Sequence, residues 1–160
     1  MFDVNVSETE SYRESAGYRP GDEAVMAQTP FGAVGLSICY DLRFAPLYRR
    51  LAQAGAEILL VPAAFSATTG KAHWEPLLRA RAIETGCYVL ATGQTGTHGG
   101  GSGALRQTHG HSLAVSPWGE VLADGGATPG IVMVDLDPTQ VAQARQRIAA
   151  LTHDRDFTGP

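Results

Sequence analysis

The chain has 160 residues, of which 44% are hydrophobic and 18% charged, a composition typical of one globular domain and not of a disordered segment. Its net charge of −4 excludes the basic surface that nucleic acids and anionic membranes require, and its apolar runs are too short to cross a bilayer. The polar, acidic start predicts no signal peptide, and the two cysteines, Cys39 and Cys87, are expected to be free thiols in a cytoplasmic protein.

The first third of the chain is predicted to contain a hairpin and a helix. Residues 1–22 include the turn signal RPGD and are expected to be irregular. Two strand-like runs, at 23–29 and 33–39, flank the turn PFG and predict a hairpin. A helix is predicted over Ala45–Gln53. The second strand therefore ends on Cys39, shortly before a helix.

The middle of the chain alternates between buried strands and a helix. A strand, a helix and a second strand are predicted at 57–65, 73–85 and 87–93. On the helix, Trp74 and Leu78 share an apolar face, and Glu75 is spaced to pair with Arg79. This order is typical of parallel strands joined by helices.

The last third is predicted to be a glycine-rich loop followed by a meander. The loop covers 95–110. Strands are predicted at 111–116, 121–126 and 131–137, with a final helix over 138–149. The whole pattern predicts an α/β (α+β) fold, with helices on one face of a sheet that is partly parallel and partly antiparallel. The other face of that sheet needs a cover.

Cys39 is the candidate nucleophile. Buried free cysteines are usually small hydrophobic side chains, and Cys87, at the start of a buried strand, is interpreted in that way. Cys39 differs because it ends a strand on a turn into a helix, which exposes the sulfur at the edge of the sheet. The backbone N–H of Tyr40 would then point to where an oxyanion forms.

Four histidines, at positions 73, 98, 109 and 111, and a glycine run offer alternative sites. His98, His109 and His111 are close in sequence, but no acidic residue or cysteine lies near enough to complete a metal site. No metal and no cofactor are therefore predicted, and GGGSG lacks the context of a phosphate-binding loop. A Cys39–histidine pair remains a possible catalytic dyad at this point.

Five separated blocks resemble the nitrilase superfamily, the carbon–nitrogen hydrolases. They are ICYDLRF, AGAEILLVPAAF, HWEPLLRARAIETGCYV, GHSLAVSPWGEVLA and IVMVDLD. The match is strongest to the branch of Nit-type amidases, which hydrolyse deaminated glutathione and related ω-amides. The resemblance implies an α-β-β-α sandwich with mixed sheets, of which residues 1–160 would be the C-terminal portion: one domain that lacks the N-terminal part of the family domain.

The resemblance also assigns roles to three residues. It makes Cys39 the nucleophile, Tyr40 the backbone N–H donor to the oxyanion, and Glu14 the supporting glutamate. Without the resemblance, Glu14 would be interpreted as a solvated loop carboxylate. The family's lysine and general-base glutamate would fall before Met1. Lys71, the one lysine of the sequence, is interpreted as a solvated loop charge.

Two functions are therefore expected as alternatives. In the first, the protein is a cysteine-dependent hydrolase of C–N bonds in small linear amides, acting through a thioester with ammonia release, and the truncated chain alone has little activity. In the second, it is a non-catalytic pseudoenzyme or binding module with the same scaffold. The expected partners are a small-molecule amide and, for the full-length protein, further copies of itself. The sequence leaves deaminated glutathione, an ω-amide, a ureido acid and a nitrile open as substrates.

Overall fold

The computed structural model describes residues 2–6, 8, 11–99 and 105–159. Its strands are β1 (Asp3–Asn5), β2 (Ser11–Arg13), β3 (Met26–Thr29), β4 (Gly32–Leu36), β5 (Ile58–Leu60), β6 (Tyr88–Ala91), β7 (Thr95–Gly99), β8 (Leu105–His109), β9 (Leu113–Val115) and β10 (Val121–Asp124). Its α-helices are α1 (Ala45–Gln53), α2 (Ala67–Thr85) and α3 (Thr139–Arg147), and short 3₁₀ helices cover Glu14–Ala16, Cys39–Arg43 and Ala150–Thr152.

The main sheet has six strands in the order β10-β9-β6-β5-β4-β3. Strands β4, β5 and β6 are parallel, and the other pairs are antiparallel. This mixed sheet confirms the predicted α/β class and the predicted β3–β4 hairpin. Because β4, β5 and β6 run in the same direction, the loops at their carboxyl ends meet at one edge of the sheet, where ligands bind in such folds.

Helices α1 and α2 pack on one face of this sheet. Leu51 from α1 and Leu78 from α2 join the buried cluster that contains Leu59 and Val89. Helix α1 has the predicted bounds, and the predicted pair of Glu75 with Arg79 is present, with Oε1 3.4 Å from Nη1. On the strands, Ile58, Leu60 and Leu90 alternate with the buried residues and stay partly exposed, as a second, less covered face requires.

Helix α2 begins six residues earlier than predicted. Ser66 caps it, because its Oγ accepts the Thr69 N–H at 3.3 Å, and Gly86 ends it in the left-handed conformation at φ +60°. The prediction of a loop around Lys71 was therefore wrong. Lys71 is an exposed residue of the first turns of α2.

Helix α3 is attached near the starts of β5 and β6. Arg145 donates to the carbonyls of Ala56 at 2.6 Å and Thr85 at 3.1 Å. The Tyr88 hydroxyl donates to the Asp137 carbonyl at 3.0 Å, just before the helix. The C-terminal helix was predicted correctly, and these contacts attach it to the sheet.

Three parts of the sequence prediction were wrong. Residues 1–22 include the antiparallel pair β1–β2, and residues 95–110 include the antiparallel pair β7–β8, whose tip, 100–104, lies outside the described residues. The glycines of 95–110 masked the strand pattern of β7 and β8, and β1 and β2 have only three residues each. Residues 131–137 form no strand in the described chain, since they have no strand beside them, and Ile131 and Met133 are 93% and 89% exposed.

Candidate active site

Cys39 lies on a strained turn at the carboxyl edge of the sheet. It follows β4 and begins the 3₁₀ helix Cys39–Arg43, with a φ of +50° that residues other than glycine rarely adopt. Its N–H donates to the Pro62 carbonyl at 2.9 Å. The Asp41 carboxylate accepts the Ile38 N–H at 2.9 Å and thereby closes the turn. Strain of this kind costs about 1–3 kcal/mol and is concentrated at functional sites.

The surroundings of the sulfur act on its acidity in opposite directions. Burial is the largest effect and raises the pKa of the Cys39 thiol above its ordinary 9.0, and the negative charge of Glu14 also raises it. The backbone N–H groups of Ala64 and Tyr40 donate to the sulfur and lower the pKa, as does the positive charge of Arg106. Burial prevails, so the thiol is protonated at neutral pH and needs a base before it can attack.

A small cavity of about 70 Å³ opens beside the sulfur. It lies between the β1–β2 pair, the Cys39 turn, the loop after β5 and the β8 strand. Its lining includes Phe2, Val4, Val6, Tyr12, Glu14, Cys39, Tyr40, Arg43, Ala64, Phe65, Ser66, Thr69 and Arg106. The structure therefore brings the three residues named from the sequence, Cys39, Glu14 and Tyr40, to one cavity.

Glu14 reaches the cavity from the start of the 3₁₀ helix Glu14–Ala16. Its carboxylate accepts the Phe2 N–H at 3.2 Å. Phe2 stacks on Tyr40 with ring centroids 4.3 Å apart and lies 4.7 Å from the ring of Phe44. This aromatic cluster links the N-terminal hairpin to the turn that carries Cys39.

Two arginines line the cavity: Arg43, which lies in the ICYDLRF block, and Arg106. The guanidinium carbon of Arg43 lies 5.2 Å from the ring centroid of Tyr40 and 5.3 Å from that of Phe65, and its Nη1 is 3.2 Å from His73 Nδ1. Arg106 enters from β8, which sequence reasoning had interpreted as loop. A lone cation beside a glycine run was the signal that could have identified it.

The histidines lie elsewhere. Among the described residues, none that lines the cavity is a histidine, so the Cys39–histidine dyad finds no support in the geometry. The His109 and His111 rings stack at 4.7 Å, and His111 Nδ1 is 2.9 Å from the Asp124 carboxylate. Burial and the neighbouring His111 lower the pKa of His109. Over the same described ranges, no three histidine, cysteine or acidic side chains are grouped to hold a metal ion.

The carbon–nitrogen hydrolase family model matches residues 1–146 of the chain. A deaminated glutathione amidase of Synechocystis sp. is 48% identical over 155 residues, which are 96% of this chain and 56% of that protein. The chain thus spans about half the length of this relative. In residues 2–6, 8, 11–99 and 105–159, none of the helices has both the length and the hydropathy needed to span a membrane.

Solved structures share the fold. The crystal structure of the C. elegans NitFhit protein superposes with a TM-score of 0.81 and 40% identity over 97% of this chain and 37% of that one. A mutant of the amidase from Nesterenkonia sp. AN1 matches with a TM-score of 0.68 and 29% identity, over 84% of this chain and 49% of that one. That second structure shows the acetamide moiety of fluoroacetamide covalently added to its active-site cysteine.

Proposed function

The chain belongs to the carbon–nitrogen hydrolase family, and on this premise we propose that it is the nucleophile-bearing part of an amidase that acts on small linear amides. One arrangement carries the proposal. Cys39 lies on a strained turn and lines a cavity, and its sulfur accepts hydrogen bonds from two backbone N–H groups. A relative with a covalently modified active-site cysteine, and relatives that are deaminated glutathione amidases, support it.

The proposed reaction passes through a thioester. A base removes the thiol proton of Cys39, and the sulfur attacks the amide carbon, so that the electron pair of the C=O bond moves onto oxygen. The backbone N–H of Tyr40 is the proposed donor to this oxyanion. Collapse of the intermediate breaks the C–N bond, and a proton goes to the leaving nitrogen. A primary amide then releases ammonia, and a substituted amide releases an amine. Water hydrolyses the thioester to the free acid and the thiol.

The chain supplies part of this machinery. Glu14 is the proposed supporting carboxylate, because it lines the cavity and acts electrostatically on Cys39. Lys71 lies on α2 and is absent from the cavity lining formed by the described residues. The resemblance places both the family's lysine and its general-base glutamate outside residues 1–160, so we expect low activity from these residues alone, since removal of a general base typically costs about 10²–10⁴ in rate.

The cavity favours amides that also carry a carboxylate. The guanidinium group of Arg43 lies at the cavity beside Phe65 and Thr69, which together offer a positive charge, an apolar ring and a hydroxyl. Such a set binds a short chain that ends in a carboxylate. Deaminated glutathione and the ω-amides of keto acids both have this chemistry, and we propose that substrate class.

A chimera tests the proposal directly. The N-terminal part of the Synechocystis amidase is fused in register ahead of Phe2, and the fusion is assayed with deaminated glutathione, an ω-amide of a keto acid, a ureido acid and a nitrile. We expect turnover of the first two, with loss of turnover in the Cys39→Ala variant. A folded chimera that neither turns over any of the four nor forms an acyl adduct at Cys39 would overturn the proposal.

The second candidate function is a binding module without catalysis. It is favoured by the raised pKa of Cys39, which burial keeps protonated at neutral pH. Calorimetry of the chimera with deaminated glutathione, beside the turnover assay, distinguishes the two candidates. Binding that persists in a chimera without turnover supports the module, and turnover excludes it.

We further infer that the chain packs against another layer in the functional protein. Phe31, Ile131 and Met133 are 83–93% exposed, and β3 and β10 are the edges of the main sheet described here. Exposed apolar surface and sheet edges promote association. Alone, the chain should scatter light as a polydisperse aggregate, and co-expression with the Synechocystis N-terminal part should give a defined homo-oligomer. A monomer that melts cooperatively without that part would contradict this inference.

A further inference from the structure

Arg106 is brought to the candidate active site by the β7–β8 hairpin. On this hairpin it pairs with His98 of β7. The hairpin is attached beside the loop that follows β5, because the His109 N–H donates to the Phe65 carbonyl at 3.0 Å and Ser66 forms an isolated bridge with Thr108. Strand β8 therefore runs next to residues 64–66, the loop that touches the Cys39 sulfur.

The Arg106 guanidinium is held on two sides. Its Nη2 donates to the Ala64 carbonyl, and its Cζ lies 4.6 Å from the centroid of the Tyr12 ring. Its Nε is buried and has no hydrogen-bond partner among the described residues. An unpaired buried N–H costs about 1–3 kcal/mol, so this arrangement calls for a compensating role.

Ala64 connects Arg106 to the sulfur. The Ala64 N–H donates to Cys39, and the Ala64 carbonyl accepts from Arg106. The preceding peptide group is fixed separately, because the Ala63 carbonyl accepts the Gln94 N–H at 2.9 Å. With a hydrogen bond on each of these two peptide groups, both backbone dihedral angles of Ala64 are set. Gln94 thus holds the peptide group that contains the Ala64 N–H, and Arg106 holds the next peptide group, between Ala64 and Phe65.

We propose, on the basis of the amidase function above, that Arg106 is a positioning residue for the nucleophile. It holds the Ala64–Phe65 peptide group and so restrains the loop that lines the cavity with Cys39, and it places a positive charge at that cavity. Nothing in this role requires Arg106 to touch the substrate. Its charge is among the effects that lower the pKa of Cys39, in opposition to burial and to Glu14.

The pH dependence of alkylation tests the proposal on the chimera of this chain with the Synechocystis N-terminal part. Iodoacetamide labelling of Cys39 is followed by mass spectrometry of its peptide from pH 6 to 10, in the wild type, Arg106→Gln and Arg106→Lys. We expect Arg106→Gln to react about three- to tenfold more slowly at pH 7.5, with its profile displaced to higher pH, because a donor and a charge are lost. The labelling rate of Arg106→Lys should lie between those of the wild type and Arg106→Gln, since lysine keeps the positive charge but lacks the planar guanidinium group with its several donors.

Arg147→Gln is the matched control. Its guanidinium carbon also lies over an aromatic ring, 4.2 Å from the centroid of Trp118, but it does not line the cavity. Its profile should coincide with that of the wild type. An Arg106→Gln profile that coincides with the wild type, in a variant with the wild-type circular dichroism spectrum, would overturn the proposal. If Arg106→Gln does not fold, Arg106→Lys decides in the same way.

This test is independent of turnover. If the chimera is inactive but the Arg106→Gln profile is displaced, the amidase proposal fails and the positioning of the sulfur stands. If the chimera is active and the profile is not displaced, only the role of Arg106 fails.

Discussion

The pKa values of the two cysteines are shifted in the same direction, but their surroundings are opposite. Burial raises the pKa of both thiols above the ordinary 9.0. Cys87 is 0% exposed at the start of β6, donates to the Ala56 carbonyl at 3.2 Å and accepts from Arg145 at 3.1 Å. Cys39 is half-buried, lines a cavity, and has a positive φ that residues other than glycine rarely adopt.

Because the pKa of both thiols is raised, the direction of the pKa shift does not distinguish the candidate nucleophile from the core thiol. Access of the sulfur to a cavity and the backbone conformation of the cysteine do distinguish them. Each sulfur accepts hydrogen bonds that lower its pKa, and each has an arginine nearby. Arg145 near Cys87 also binds two carbonyls and connects α3 to the sheet. The donors at Cys39 are backbone groups at the edge of a cavity, where an attacking sulfur could meet a carbonyl carbon.

The largest expected difference between the two thiols is in catalysis. In the chimera, Cys39→Ala should lower kcat at least about a thousandfold, because the covalent route is lost. Cys87→Ala removes a core sulfur and should leave kcat within about twofold, with a loss of stability of about 1–2 kcal/mol. Steady-state kinetics and urea unfolding measure the two quantities. Equal losses of activity would remove the distinction between the cysteines.

The next difference is in chemical reactivity. In the native chimera, iodoacetamide should label Cys39 about a hundredfold faster than Cys87, because a fully buried thiol reacts only after an opening that costs about 3 kcal/mol. The two sites are quantified by mass spectrometry of the labelled peptides. In denaturant the rates should converge. Equal rates in the native chimera would mean that the Cys39 sulfur is not accessible from the cavity.

A third prediction concerns what protects Cys87. Arg145→Met removes the hydrogen bonds to Ala56, Thr85 and the Cys87 sulfur and should lower the free energy of unfolding by about 2 kcal/mol. Labelling of Cys87 should then accelerate about thirtyfold, as that free energy implies, while labelling of Cys39 stays unchanged.

The control for this variant is on the same helix. Arg147 lies over Trp118, and Arg147→Met should cost no more than about 1 kcal/mol. If Cys39 labelling also accelerates in Arg145→Met, the two thiols become accessible in the same opening reaction. That result would contradict the expectation that the two thiols are exposed independently.

The sequence was sufficient to find the Cys39 turn because its signals are local. A strand, a cysteine and a helix follow one another within Gly32–Gln53, and the structure has them in that order. The buried strands β5 and β6 and the helix α1 were found for the same reason: each has its own hydrophobic pattern. Family membership was identified correctly from blocks in the right order. The role of Glu14 rested on that resemblance, and it stays a prediction although Glu14 lines the cavity.

What the sequence did not reveal depends on contacts between distant segments. Arg106 is brought to the candidate site by a hairpin whose glycines give it the sequence pattern of a loop. Its partner there is the carbonyl of Ala64, a residue with no polar side chain. The strand predicted at 131–137 has a good hydrophobic pattern, but a strand forms only where another strand lies beside it. Single-sequence patterns carry neither kind of information.

The smallest expected effect is in the alkaline pH dependence of stability. Both folded thiols have a pKa raised above the ordinary 9.0, so each contributes stability that is present below about pH 9 and is lost as the pH rises through the folded pKa. Urea unfolding between pH 7 and 9.5 should therefore show a falling midpoint. The measurements stop at pH 9.5, below the ordinary tyrosine pKa of 10.0. Burial also raises the pKa of Tyr48, so ionisation of this tyrosine would add to the loss of stability at higher pH. The urea midpoint should fall less steeply with pH in Cys87→Ala than in Cys39→Ala, since Cys87 is the fully buried thiol. If the midpoint of the double variant falls as steeply as that of the wild type, other groups cause the alkaline loss of stability.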